Sequence, residues 1–138
     1  MSDFGKSPSI EIASENKYEF VSFEQFRMHF RLIKLITKHY NIDSTITAKC
    51  TVIFEYYGHY LEHLCEQLFT DIKRSEQIMI VSCAVLCNAV KKFSNNDDII
   101  SRVKTFININ YPSISGNISK IELLLNQKMK KQQTTYYL

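Results

Sequence analysis

Residues 45–72 read TITAKCTVIFEYYGHYLEHLCEQLFTDI, and this stretch decides the fold. Its apolar side chains are Cys50, Ile53, Phe54, Tyr57, Leu61, Leu64, Cys65, Leu68 and Ile72. They recur three and four residues apart, the spacing of one face of an α-helix. No proline interrupts the run, and its one Gly58 lowers helix propensity without ending the helix. Thr45 or Thr47 is placed to cap the start. A helix this long, flanked by short loops, cannot cover its apolar stripe with one neighbour. The pattern predicts a central strut.

Working outward, Ser22 and Gln25 form a capping box, and Val21 with Phe26 a hydrophobic staple, for a first helix running to about His39. Asn41, Asp43, Ser44 and Thr45 make the loop that follows. On the other side, residues 73–77 break the period, and Ile78-Met79-Ile80-Val81 reads as a short strand or extended loop. Ser82 then caps a third helix through Lys92. Asp97 starts a fourth, with Ile99, Ile100, Val103, Phe106 and Ile107 on its apolar side, closed by Pro112. A last amphipathic helix is expected from Asn117 to Lys130. Residues 1–20 read as an extended, acidic arm. The class is all-α.

The chain has 138 residues, 45% of them hydrophobic and 22% charged, which suits one domain with its own core. Three glycines are too few for a phosphate-cradling loop. Apolar runs of four or five residues fall short of a membrane span, and the first twenty residues lack a signal peptide's hydrophobic centre. A soluble, intracellular protein is expected. Cys50, Cys65, Cys83 and Cys87 sit in apolar periodic stretches and read as buried thiols of a reducing compartment. A metal reading would join Cys83 and Cys87 to His59 and His63, but no CxxC or HExxH pattern reinforces it. No metal or cofactor is expected. Tyr56, Tyr57 and Tyr60 read as core or interface. Asp97 and Asp98 are the sole adjacent acid pair and stand at a helix start, where acids cap. Catalysis has no candidate residues.

The chemistry-bearing feature is a row of cations. Arg27, Arg31, Lys34 and Lys38 fall within a sector of roughly sixty degrees on the first helix. Most of its other positions, including Phe23, Phe26, Met28, Phe30, Leu32, Ile33, Leu35 and Ile36, are apolar and are expected to be buried. Three readings stay open. The cations pair with acids of another helix, such as Glu55, Glu62 and Glu66; they track the phosphates of a polyanion; or they face an acidic protein partner. Sparse aromatic interleaving favours duplex backbone over stacked single strands.

The order of a four-turn helix, a loop, a seven-turn helix, a loop and a short helix resembles the histone fold. Ile46 through Val90 is similar to core histones of the 2B class. Ile46-Thr47-Ala48-Lys49 matches that class's loop-one entry, and Asp43 precedes it. Ile53, Tyr57 and Leu61 stand where central-helix core residues are expected, and Val81-Ser82 and Asn88-Ala89-Val90 match the start and end of the third helix. On this resemblance residues 21–93 are the histone fold, 94–112 the added helix of the 2B type, and 113–138 a further amphipathic helix and tail. The resemblance implies DNA-phosphate contacts by Thr47 and Lys49 and, a few residues early, by Lys73 and Arg74, alongside the helix-one row. It also implies a handshake dimer with a 2A-like histone through Ile53, Tyr57, Tyr60, Leu61, Leu64 and Leu68. Asp97 matches one acid of the nucleosomal acidic patch. The family's basic tail is replaced by an acidic arm, and Thr105 stands where the second patch acid would be. Thirteen Lys against four Arg suggest an AT-rich source, a large DNA virus or a protist.

The leading expectation is thus a non-enzymatic histone-like heterodimer that compacts duplex DNA into nucleosome-like particles, in a nucleus or, if viral, a virion or viral factory. One alternative is a histone-fold scaffold of a transcription or kinetochore complex. Another is a helical bundle that holds an amphipathic helix in a groove, in the manner of viral cell-death regulators.

Overall fold

The computed structural model describes residues 26–94 and 96–137, with side chains to 132. Within them the protein is all-α: α1 (Arg27–His39), α2 (Ser44–Leu68), α3 (Arg74–Phe93), α4 (Asp97–Asn110) and α5 (Ser115–Tyr137), with no strand among the described residues. The acidic arm and the capping box of Ser22 and Gln25 lie outside the described residues.

Local chemistry sets the helix ends. Lys38 and His39 occupy the last turn of α1, where cations meet the negative end of the helix dipole. Asn41 then turns left-handed, with φ 54°. Its N–H donates to Lys38 O, and that of Ile42 to Thr37 O at 2.8 Å, the paired closure of a Schellman motif. Asp43, rather than Thr45 or Thr47, caps α2, its carboxylate accepting from Thr45 N at 3.2 Å. The helix ends at Leu68, one turn short of Ile72. Asn96 caps α4 by accepting from Asp98 N.

The centre of the bundle is α3, which corrects the expectation that α2 is the strut. Every residue from Ile80 to Val90 is buried, and α1, α2, α4 and α5 all pack on this helix. By contrast α2 has a buried face of Ile46, Cys50, Ile53, Phe54, Leu61 and Cys65, while Lys49, Val52, Glu55 and Tyr56 face outward. The physical reason is general: an apolar stripe marks a helix with water on its other side, and an enclosed helix has no stripe.

The same reason explains residues 78–81, which are helical and not a strand. Their run is apolar because α3 is covered all round, and periodicity cannot tell that from a buried strand. The helix starts eight residues before Ser82, with the N–H of Lys73 donating to Glu76 Oε1 at 3.1 Å. At 20 residues α3 is not the short third helix that the histone order requires.

The last helix docks. Ile118, Ile121 and Leu125 of α5 are buried, and α5 packs mainly on α3 and also on α2. Polar ties hold it in register: Asn88 Nδ2 donates to Asn126 Oδ1 at 2.9 Å, Tyr57 O–H to Gln132 Oε1 at 2.9 Å, and Lys91 pairs with Glu122 at 2.8 Å. One apolar core takes in residues of all five helices.

Candidate interaction face

The inner side of α1 is anchored first. Phe26, Ile33 and Ile36 are buried, as is His29, at 0% exposure. His29 Nε2 lies 3.3 Å from Glu62 Oε2 on α2, and Arg74, which opens α3, donates to the same oxygen at 2.8 Å. Gln77 completes the cluster, donating from Nε2 to the Glu62 carbonyl at 3.1 Å and accepting from Arg74 at 3.1 Å. Burial pushes the Glu62 carboxyl up, but the contacts from His29 and Arg74 outweigh it and hold the group below the usual glutamate range. Three helices meet at one carboxylate.

That cluster fixes what the other side of α1 presents. Arg27, Arg31, Lys34 and Lys38 are all exposed, diametrically opposite Ile33 and Ile36, and form no ion pair with any described residue. The reading in which they pair with Glu55, Glu62 or Glu66 is therefore not met: Glu62 faces inward to His29 and Arg74. Eleven residues of helix spread the four cations over roughly 16 Å.

Beside the cations runs a second row. Met28, Leu32 and Leu35 recur at i, i+4 and i+7, and Met28 and Leu35 are 52% and 67% exposed, with Leu32 half-buried. These three were expected in the core, so the burial expected for Met28 and Leu35 is corrected. An apolar count along the helix does not show this row; only the azimuth of each side chain does. On a helical wheel they fill the sector between the basic row and Ile36, with Leu35 about 40° from Arg31 and Leu32 about 40° from Ile36.

The remaining candidates do not join this face. Thr47 and Lys49 lie in the first turns of α2, Lys49 with its ammonium 4.7 Å over the Phe93 ring. Lys73 and Arg74 stand beyond the far end of the same 25-residue helix, and Arg74 is committed to Glu62. Glu62, which holds Arg74, stands thirteen residues along α2 from Lys49, so the two pairs are roughly 20 Å apart along that helix. Of the expected dimer residues, Ile53 and Leu61 are buried inside this chain, which corrects their assignment to an open interface. Tyr57 bonds Gln132, Tyr60 lies under Lys128, and Leu64 is half-buried against the core. Leu68, at 41% exposure, sits instead at a cleft of about 430 Å³ between the α2–α3 and α4–α5 turns. Asp97 is exposed in the first turn of α4.

The metal reading finds no support in placement. Cys83 and Cys87 are buried on α3 while His59 and His63 point outward from α2, and no cluster of three ligating side chains occurs among the described residues. Burial pushes the thiols of Cys50, Cys65 and Cys87 up to about 12, and that of Cys83 upward as well.

No family model, curated protein or solved structure matches the chain. No helix among the described residues is long and apolar enough to cross a membrane.

Proposed function

We propose that the protein is a non-enzymatic binding module that takes an acidic, amphipathic helix of a partner protein along the outer face of α1. The observation that carries this reading is the pair of parallel rows: Arg27, Arg31, Lys34 and Lys38 beside Met28, Leu32 and Leu35. A partner helix with apolar anchors at i, i+4 and i+7 and carboxylates alongside them matches both rows at once. Charge alone would explain the cations, but not two exposed apolar side chains in register with them.

Duplex DNA is the rival ligand, drawn from the resemblance to 2B-class histones. It is supported by the same four cations, which suit phosphates, and gains nothing from Met28 and Leu35. The handshake with a 2A-like histone, and the scaffold reading built on it, both call for an uncovered stripe on α2. Here α1, α3 and α5 of the same chain pack on α2 and bury Ile53 and Leu61. A partner helix on the outer face of α1 makes no such demand of α2, although it would lie along an exposed ridge and not in the groove of the helix-binding bundle.

The two ligands separate experimentally. Fluorescence anisotropy would measure the binding of a labelled acidic amphipathic 20-mer and of a labelled duplex to the full chain. Replacing Arg31 and Lys34 by Glu abolishes either interaction. Leu35→Ala should weaken the peptide roughly five- to thirty-fold, as for loss of an apolar anchor worth about 1–2 kcal/mol, and leave duplex affinity unchanged. Tight duplex binding indifferent to Leu35→Ala, with no peptide binding, hands the face to DNA.

A further inference from the structure

The exposed row of α1 does not stop at Leu35. His39 follows four residues on at the same azimuth, so Met28, Leu32, Leu35 and His39 recur at i, i+4, i+7 and i+11. His39 is exposed, and its ring stands edge-on to Tyr40 with centroids 4.7 Å apart. Tyr40 in turn meets Phe106 of α4 edge-on at 5.8 Å, and Phe106 meets Tyr111 at 5.9 Å. Tyr40, Phe106 and Tyr111 pack on the core by one side and are half-buried, which leaves the other side open. The α1 row therefore runs into an aromatic patch where the C-terminal end of α1 meets α4. We infer that the partner helix extends past the three apolar anchors and seats an aromatic side chain on this patch, against His39, Tyr40 and Phe106.

The spacing suits a helix over the whole length of the row. Steps of four, three and four residues are those of a heptad seam, and a second helix crossing at about 20° stays opposite such a seam. From Met28 to His39 the row covers roughly 16 Å, so a partner helix of about four turns reaches from one end to the other. Arg27, Arg31, Lys34 and Lys38 flank it along that length, which calls for carboxylates on one side of the partner. An aromatic residue suits the last seat because the rings of Tyr40 and Phe106 reward a further ring beyond the area it buries. The patch gives duplex DNA nothing, and Met28, Leu32 and Leu35 offer no ring on which a single strand could stack. The steps read the same in both directions, so the aromatic is the last anchor of a partner parallel to α1 and the first of an antiparallel one. The aromatic seat rests on the α1 face assigned under the proposed function, and adds to it a means of telling one acidic helix from another.

Fluorescence anisotropy of labelled acidic peptides of about 20 residues, titrated with the full chain, tests the seat. The peptides carry leucine at three anchors and either phenylalanine or serine at the fourth. In one pair that fourth anchor ends the row, and in the other it begins it. One of the two pairs should bind about ten-fold more tightly with phenylalanine than with serine. That preference should fall by at least about three-fold in Phe106→Leu, which keeps an apolar side chain and removes the ring, or in His39→Ala, an exposed position that puts the fold at no risk. A preference that both variants leave intact overturns the seat. So does the absence of a preference in either pair while Leu35→Ala still weakens binding, and both results leave the α1 face standing. Peptides that do not bind, or that ignore Leu35→Ala, overturn the face and the seat together. A labelled oligo-dT strand that binds more tightly than any of the peptides and is weakened by Phe106→Leu would give the patch to single-stranded nucleic acid instead.

Discussion

The ring of Phe26 occupies the space that a side chain at Gly58 would need: a Cβ built on Gly58 would stand 2.5 Å from Phe26 Cε2. Phe26 is 1% exposed at the head of α1, edge-on to His29 and His59 and tilted over Phe54. The close approach of α1 to α2 therefore depends on a residue that lowers the helix propensity of α2. Gly58→Ala gains about 1 kcal/mol of propensity but forces the ring to move within a packed core, at about 1–3 kcal/mol. The expected net result is a lower melting temperature. Combining it with Phe26→Leu, which makes room, should restore part of the difference; a Gly58→Ala protein more stable than the parent would contradict this contact.

Glu62 gathers a buried histidine and an arginine from two other helices, so removing its charge leaves His29 buried beside an uncompensated cation. Arg74 is half exposed and partly relaxes into water, which limits the effect. Glu62→Gln should destabilise by about 1–3 kcal/mol in urea unfolding. A change within about 0.5 kcal/mol would mean that the cluster is solvated and not a lock.

The same carboxylate sets an acid limb. Its pKa in the folded chain is below that of an unfolded glutamate, which is about 4.3. The stability it contributes is complete above the unfolded value and drains away as pH falls through the folded one. Urea midpoints measured from pH 6 down to about pH 3 should fall for the parent, and more shallowly for Glu62→Gln. Parallel curves would remove Glu62 as the source.

Four thiols are buried, with burial raising Cys50, Cys65 and Cys87 to about 12. At pH 8 only about one thiol in ten thousand is then ionised. Labelling by a disulfide reagent should be negligible in the native protein and complete in about 6 M guanidinium. Rapid modification of one thiol in native buffer would show that the core around α3 opens.

How much of this was legible in the sequence depended on what each helix faces. α2 has water on one side, so its stripe from Cys50 to Leu68 announced it. α3 has none, and the run from Ile78 to Val81 looked the same as a strand. The inference from longest stripe to central position inverted the order, because a clear stripe marks the wall of a bundle and an aperiodic apolar run marks its axis. The four cations of α1 were legible because charge at i, i+4, i+7 and i+11 has no use inside a core. Met28 and Leu35 were not, since hydrophobicity alone predicts burial, and only their azimuth on the Arg31 side of the helix exposes them. The partnership of His29, Glu62 and Arg74 is a tertiary fact: nothing local to residue 62 selects those partners over Lys34 or Lys38.

If the outer face of α1 is the binding surface, a ligand must perturb that face before any other. Backbone amide shifts of the ¹⁵N-labelled chain, followed during titration with the acidic amphipathic peptide, test it directly. Perturbations should concentrate on residues 27–39, be largest around Arg31, Lys34 and Leu35, and vanish with Arg31 and Lys34 replaced by Glu. Saturable binding that shifts the amides around Leu68 and Ile114 while those of α1 stay in place would contradict it.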